Sequence, residues 1–110
     1  MPLVSVILPV HNGGVYLSQA INSILMQTYR NIELIVINDG STDDTGRILE
    51  IYHDRVDVYN QEKLGIASAL NSGLKLARGK YIARQDADDI SISDRIETQV
   101  TFLENHPEIG

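Results

Sequence analysis

Leu3 to Val10 (Leu-Val-Ser-Val-Ile-Leu-Pro-Val) is a near-continuous apolar run, and it narrows the possible folds of this chain more than any other stretch. A strand with one solvated face alternates apolar and polar residues. A run without alternation is expected of a strand buried on both faces, as in a parallel sheet covered by helices. Polar His11-Asn12-Gly13-Gly14 ends the run, and Leu17, Ala20, Ile21, Ile24 and Leu25 then follow at the three-and-four spacing of a helix with one apolar stripe. Ile32 to Ile37 repeats the buried-strand pattern and is stopped by Asn38-Asp39-Gly40-Ser41.

The pattern continues to the end of the chain. Ser41, with Asp44 three positions later, suits a helix start, and Ile48, Leu49 and Tyr52 supply that helix with a buried face. A weaker strand is expected over Val56 to Tyr59. The best helical pattern follows, through Ile66, Ala69, Leu70, Gly73, Leu74 and Ala77, with Gly79 expected as a left-handed cap. Tyr81 to Gln85 reads as the fourth strand, and Ile96, Val100 and Leu103 mark a last helix. Strands alternating with helices through short links predict a doubly wound α/β fold, with a mostly parallel sheet and helices on both faces. At 110 residues, 43% hydrophobic and 22% charged, the chain has the size of one domain spanning residues 1–110.

Composition removes several functions. Without cysteine, neither disulfides nor thiolate metal sites form, so a metal must sit on oxygen or on the three histidines. The formal charge of −6 argues against nucleic acid as a partner, because that affinity comes from clustered Lys and Arg. No apolar run approaches the roughly 18 residues of a membrane span, and Met1-Pro2-Leu3-Val4-Ser5 is unlike a signal peptide. A cytoplasmic location is the expectation, with membrane association of a longer protein left open.

In doubly wound sheets, ligands bind beyond the carboxyl ends of the strands. His11-Asn12, Asn38-Asp39 and Asp86-Ala87-Asp88 each directly follow an expected strand, which gathers three polar clusters on one edge. Each also has a simpler reading. Asn-Asp-Gly-Ser is good turn chemistry, His11-Asn12 is an ordinary loop, and Asp88 and Asp89 would favour the N-terminus of the next helix through its dipole.

Three carboxylates within four positions at a strand end repel one another, and a cation is the usual reason to keep them. One or two carboxylates completed by substrate phosphate oxygens and water suit Mg²⁺ or Mn²⁺. His11-Asn12-Gly13-Gly14-Val15-Tyr16 lacks the Gly-x-Gly-x-x-Gly dinucleotide fingerprint, and no Gly-x-x-x-x-Gly-Lys phosphate loop exists. Ile90 and Ser91 stand where a calcium loop needs a ligand and a tight-turn glycine.

Four motifs together carry a family resemblance: Val4 to Asn12, Ile37 to Asp43, Gly65 with Asn71 and Gly73, and Asp86-Ala87-Asp88-Asp89. In this order, over essentially the whole chain, they resemble the family 2 glycosyltransferases of the GT-A fold. The resemblance implies that His11 and Asn12 lie beside a nucleotide base, that Asp39 recognises the base, and that Asp86 and Asp88 form the Asp-x-Asp motif. Asp86 then approaches the ribose or metal, and Asp88 coordinates the metal on the diphosphate. The chain departs from the family pattern at Asn38, often aspartate, at His11, often tyrosine, and at Ser93, often proline.

The resemblance further implies transfer of a sugar, with inversion, from a nucleoside-diphosphate sugar (a UDP-sugar first) to a hydroxyl of a glycan or lipid-linked acceptor. Synthesis of a polysaccharide or cell-envelope glycan is the implied setting. Nothing in the chain matches the acceptor half or its catalytic base. No catalytic residue is therefore assigned here, and the chain reads as the donor-binding part of a longer enzyme. A non-catalytic nucleotide-binding regulatory module is the alternative. A sugar-activating nucleotidyltransferase fits less well, because Gly13-Gly14 has no neighbouring Lys or Arg to hold a triphosphate. An open sheet edge makes self-association into a homo-oligomer a further expectation.

Overall fold

The structure, a computed structural model, describes residues 1–109. Its elements are β1 (Val4–Val10), α1 (Gly14–Leu25), β2 (Ile32–Asp39), α2 (Thr45–Ile51), β3 (Asp57–Gln61), α3 (Ile66–Leu76), β4 (Tyr81–Arg84) and α4 (Arg95–Asn105), with a 3-10 turn at Pro107–Ile109. The strands are all parallel, in the order β3-β2-β1-β4. The chain steps outward from β1 to β2 to β3 and then returns to the far side of β1. The reversal leaves a topological switch point between β1 and β4, where doubly wound sheets form a crevice.

β1 is buried along its whole length, as a strand covered on both faces must be. Val4, Val6, Leu8 and Val10 join Leu34 and Val36 of β2 against α1 (Leu17, Ala20, Ile21, Ile24), α2 (Leu49) and α4 (Ile96, Val100). On the other face α3 packs chiefly over β1 and β2, placing Ala69 on Ile35 and Ile37. A Cβ on Gly73 would lie 2.4 Å from Ile7 Cγ2, so glycine is what lets α3 come this close. Each fully buried Leu, Ile or Val contributes roughly 1.5–3 kcal/mol, so the face carrying three helices supplies most of the stability. Beyond α3 the second face is bare over β4, and Ile82 is 46% exposed there. Among the described residues no helix is long and apolar enough to cross a membrane.

The element order agrees with the sequence reading, while details differ, and the fourth strand ends at Arg84, one residue before Gln85. The third strand lies at Asp57–Gln61, displaced toward the C-terminus, because Val56 is buried in the core cluster before the ladder begins. β2 runs on to Asp39, so Asn38 and Asp39 belong to the ladder and do not terminate it. Gly79 is not a left-handed cap: the positive-φ glycines are Gly14, Gly40 and Gly65, and Ala77 is already extended after α3.

The real constraint on Gly79 is closeness. A Cβ there would meet Ser5 N at 2.6 Å, Ser5 Oγ at 2.7 Å and Leu3 O at 2.9 Å, two of them backbone atoms that cannot yield. Its own N–H donates to Ser5 Oγ at 2.8 Å. The Ser5 hydroxyl donates in turn to Glu33, whose carboxylate also accepts the Arg78 backbone N–H at 2.7 Å and the Arg78 guanidinium at 2.9 and 3.1 Å. Burial pushes the Glu33 carboxyl up, but the Ser5 and Arg78 hydrogen bonds and the Arg78 charge together outweigh it and hold the group below its ordinary value.

Candidate functional site

The loops after β1 and β2 are knitted into one wall. His11 Nδ1 lies 2.8 Å from the Asp39 carbonyl oxygen. A carbonyl only accepts, so Nδ1 carries the proton of this bond. Asn12 takes the left-handed conformation (φ 53), which asparagine tolerates better than most side chains. Its N–H donates to Ser41 Oγ at 2.9 Å, and its Oδ1 accepts the Thr42 N–H at 2.8 Å and the Asp43 N–H at 3.3 Å. Gly13 N–H reaches Thr45 Oγ1 at 3.0 Å.

Ser41 therefore serves the β1 loop and does not start α2. That helix begins at Thr45, and Asp43 accepts both the Thr45 N–H (2.9 Å) and its hydroxyl. These Thr45 bonds hold the Asp43 carboxyl below its ordinary value.

Asp39 is only 1% exposed. Its Oδ1 accepts Gln61 Nε2 at 2.8 Å and the Leu64 N–H at 2.9 Å, and its Oδ2 accepts the Gly65 N–H at 3.0 Å. The Leu64 N–H, then the Gln61 amide, lower its pKa against the opposing effect of burial. Its simple-turn reading therefore falls short, because the carboxylate pins the segment from Gln61 to Gly65 that leads into α3. A Cβ on Gly40 (φ 66) would stand 2.6 Å from Lys63 N, so this segment also closes over the turn. Asn38 donates from Nδ2 to Asn60 Oδ1 at 3.0 Å, which an aspartate at 38 could not do.

The acidic loop is built by two glutamines that the sequence did not single out. Gln85, 2% exposed, donates from Nε2 to the Asp89 carbonyl at 2.6 Å, and its Oε1 accepts Ser91 Oγ at 2.6 Å and Arg95 Nη1 at 3.1 Å. Gln27, 1% exposed, donates to the Ile92 carbonyl at 2.7 Å and accepts the Ile96 N–H at 3.0 Å. Such saturated buried networks hold a loop in one geometry before any ligand arrives. α4 starts only at Arg95, so Asp88 and Asp89 lie outside its first turn. The dipole reading of these residues fails, since the effect fades within one turn.

A cavity of about 340 Å³ opens at the switch point between β1 and β4. His11, Asn12 and Gly13 form one wall and Arg84, Asp86 and Asp88 the other, with Tyr16 from α1 and Ile66 from α3 at the margins. The structure thus brings together His11, Asn12, Asp86 and Asp88. Asp39 stands behind this wall, touching it through its carbonyl on His11, and Asp89 faces a neighbouring hollow with Ser91 and Arg95. Tyr16, Ile66 and Arg84 are additional wall residues. Tyr16, 58% exposed, lies off the apolar stripe of α1, which is the one sequence signal that could have marked it.

The donor set fits a hard divalent cation. Asp86 and Asp88 offer carboxylate oxygen, and no group of three His, Cys, Asp or Glu converges among the described residues. A two-carboxylate set leaves coordination positions for phosphate oxygens and water, which is how Mg²⁺ sites on phosphate substrates are usually built.

The model of the glycosyl transferase family 2 matches residues 5–110. The chain belongs to this family. A glycosyltransferase of Rickettsia prowazekii is 47% identical over 102 residues, covering 93% of this chain and 32% of that protein. Glycosyltransferase GlyG of Streptococcus pneumoniae is 46% identical over 100 residues, covering 87% and 33%. Among solved structures, S. aureus TarS 1-349 in complex with UDP-GlcNAc superposes with a TM-score of 0.84 at 27% identity, over 94% of this chain and 32% of that one. The mannosyltransferase PcManGT from Pyrobaculum calidifontis, in complex with GDP-Man and Mn²⁺, gives 0.82 at 27% identity, over 93% and 32%. The fold is that of GT-A glycosyltransferases, and the chain spans about a third of the length of these relatives.

Proposed function

We propose that this chain is the donor-binding part of a glycosyltransferase that uses a nucleoside-diphosphate sugar and a divalent cation, Mg²⁺ or Mn²⁺. The observation that carries this reading is the cavity at the switch point, where His11 and Asn12 face Asp86 and Asp88. The nucleoside lies along the His11–Asn12 wall, with Asp39 behind it. Asp86 and Asp88 would hold the cation, which would supply neutralisation of the diphosphate and Lewis-acid assistance to the leaving group. The His11 ring and the exposed Tyr16 ring offer the base a surface to pack on.

Transfer to a glycan or lipid-linked hydroxyl proceeds by in-line displacement with inversion at the anomeric carbon. It requires a base to deprotonate that hydroxyl. Asp39 already accepts three protein hydrogen bonds, and this reading gives Asp86 and Asp88 to the cation and the base to other polypeptide. The reading includes a cytoplasmic location, open to membrane association of a longer protein. UDP is the first nucleotide to test, since a UDP-sugar complex is among the structural neighbours, and GDP the second.

Calorimetric titration of UDP and GDP, in Mn²⁺ and again in EDTA, tests the reading on this chain and on Asp88→Ala. Metal-dependent binding that prefers one base and disappears in the variant is the expected result. A folded chain that binds neither nucleotide in Mn²⁺ would sink the proposal.

A further inference from the structure

The geometry points to an exchange role for Arg84: it holds Asp86 while no metal is bound and turns its guanidinium to the donor diphosphate once a divalent cation takes Asp86 over. The inference rests on the donor-site reading above and assigns a residue that this reading leaves unused.

Arg84 is the last residue of β4, level with Ile7 of β1, on the sheet face that α3 leaves bare. Its side chain is consequently 54% exposed, and it lines the cavity beside Asp86 and Asp88. It contacts Asp86 through Nε alone, at 2.9 Å. Among the described residues Nη1 and Nη2 have no acceptor. A fork with its two outer nitrogens unengaged, on the wall of a phosphate-sized cavity, matches the bidentate geometry of phosphate recognition.

Charge gives the exchange its direction. Among the described residues lining the cavity, Arg84 is the permanent cation, set against two carboxylates. The metal-free wall is therefore net negative and repels a diphosphate. A divalent cation reverses that sign and competes with Arg84 for Asp86. An exposed ion pair contributes little, so it exchanges easily. Arg95 cannot take this part, because its Nη1 is bound to Gln85 and Ser91 and its Nη2 to the Arg84 carbonyl.

A substitution at Arg84 should then act with opposite sign on metal and on diphosphate, which a residue of purely structural importance would not do. Mn²⁺ alone, Mn²⁺ with UDP, Mn²⁺ with UMP, and Mn²⁺ with inorganic pyrophosphate are titrated against the chain, Arg84→Gln and Arg84→Lys. In Arg84→Gln, Mn²⁺ affinity without nucleotide should rise about twofold. UDP and pyrophosphate at saturating Mn²⁺ should weaken about tenfold, and UMP less than twofold. Arg84→Lys, which keeps the charge but loses the fork, should fall between. Equal weakening of UDP and UMP, or weakening of Mn²⁺ together with UDP, overturns the inference. If the chain binds Mn²⁺ and pyrophosphate but no nucleotide, the donor reading fails while Arg84 is judged on pyrophosphate alone. Pyrophosphate binding that is undetectable, or equal in the chain and Arg84→Gln, also overturns it.

Discussion

Asp39, the last residue of β2, and Asp88, in the loop after β4, lie at the same edge of the sheet, yet their surroundings differ completely. Asp39 is 1% exposed and accepts three hydrogen bonds from the segment Gln61–Gly65. Asp88 is exposed, and no protein donor bonds its side chain among the described residues. A carboxylate tied by three hydrogen bonds to its own chain braces structure. One held open in a rigid loop is available to a ligand. Position at a strand end therefore does not distinguish architecture from chemistry, whereas the hydrogen-bond inventory does.

The contrast predicts separable effects. The largest is on folding: Asp39→Ala strands the Gln61 amide and frees the Leu64 and Gly65 N–H groups, and should cost about 3 kcal/mol in denaturant unfolding. Asp88→Ala should change stability by less than about 0.5 kcal/mol while weakening Mn²⁺-dependent nucleotide binding about a hundredfold, or ~2.7 kcal/mol. A destabilised Asp88 variant, or an Asp39 variant of unchanged stability, breaks the comparison.

A smaller effect concerns acid. Asp39 and Glu33 have lowered pKa values in the folded chain, so each adds stability that is fully present above the unfolded carboxylate value, about pH 4. That contribution disappears as the pH falls through the folded values, because the unfolded state then takes up protons first. Stability measured from pH 6 down to pH 2 should drop, with a shallower acid limb in Asp39→Asn and in Glu33→Gln, the latter losing about 1 kcal/mol at neutral pH. The least effect is expected from Asp86→Asn, which removes the exposed pair with Arg84 and should shift the unfolding midpoint by less than about 0.5 kcal/mol, a difference that salt erases.

How far the sequence could be read depended on how local the cause was. The parallel strands of β1 and β2 and the stripes of α1 and α3 were legible because burial repeats with a fixed period along the chain. His11, Asn12, Asp86 and Asp88 were legible because strand ends in such a sheet share one edge, and the switch point then brought them into one cavity. Gln27 was not legible, since its partners lie 65 and 69 residues away and an isolated glutamine has no periodic signature. Gly79 was misread for the same reason: a glycine after a helix suggests a cap, and only the approach of β1 shows that it is needed for space.

The sequence by itself determined the alternation of strands and helices, the doubly wound class and the family, because each follows from hydrophobic period or from short contiguous motifs. Only the tertiary structure decided which carboxylates are bonded by the chain and which are open, why Asn38 faces Asn60, and which cation faces the acidic pair. Those outcomes depend on contacts between segments far apart in the chain, and the strand order that creates them is settled by how the helices divide between the two faces of the sheet.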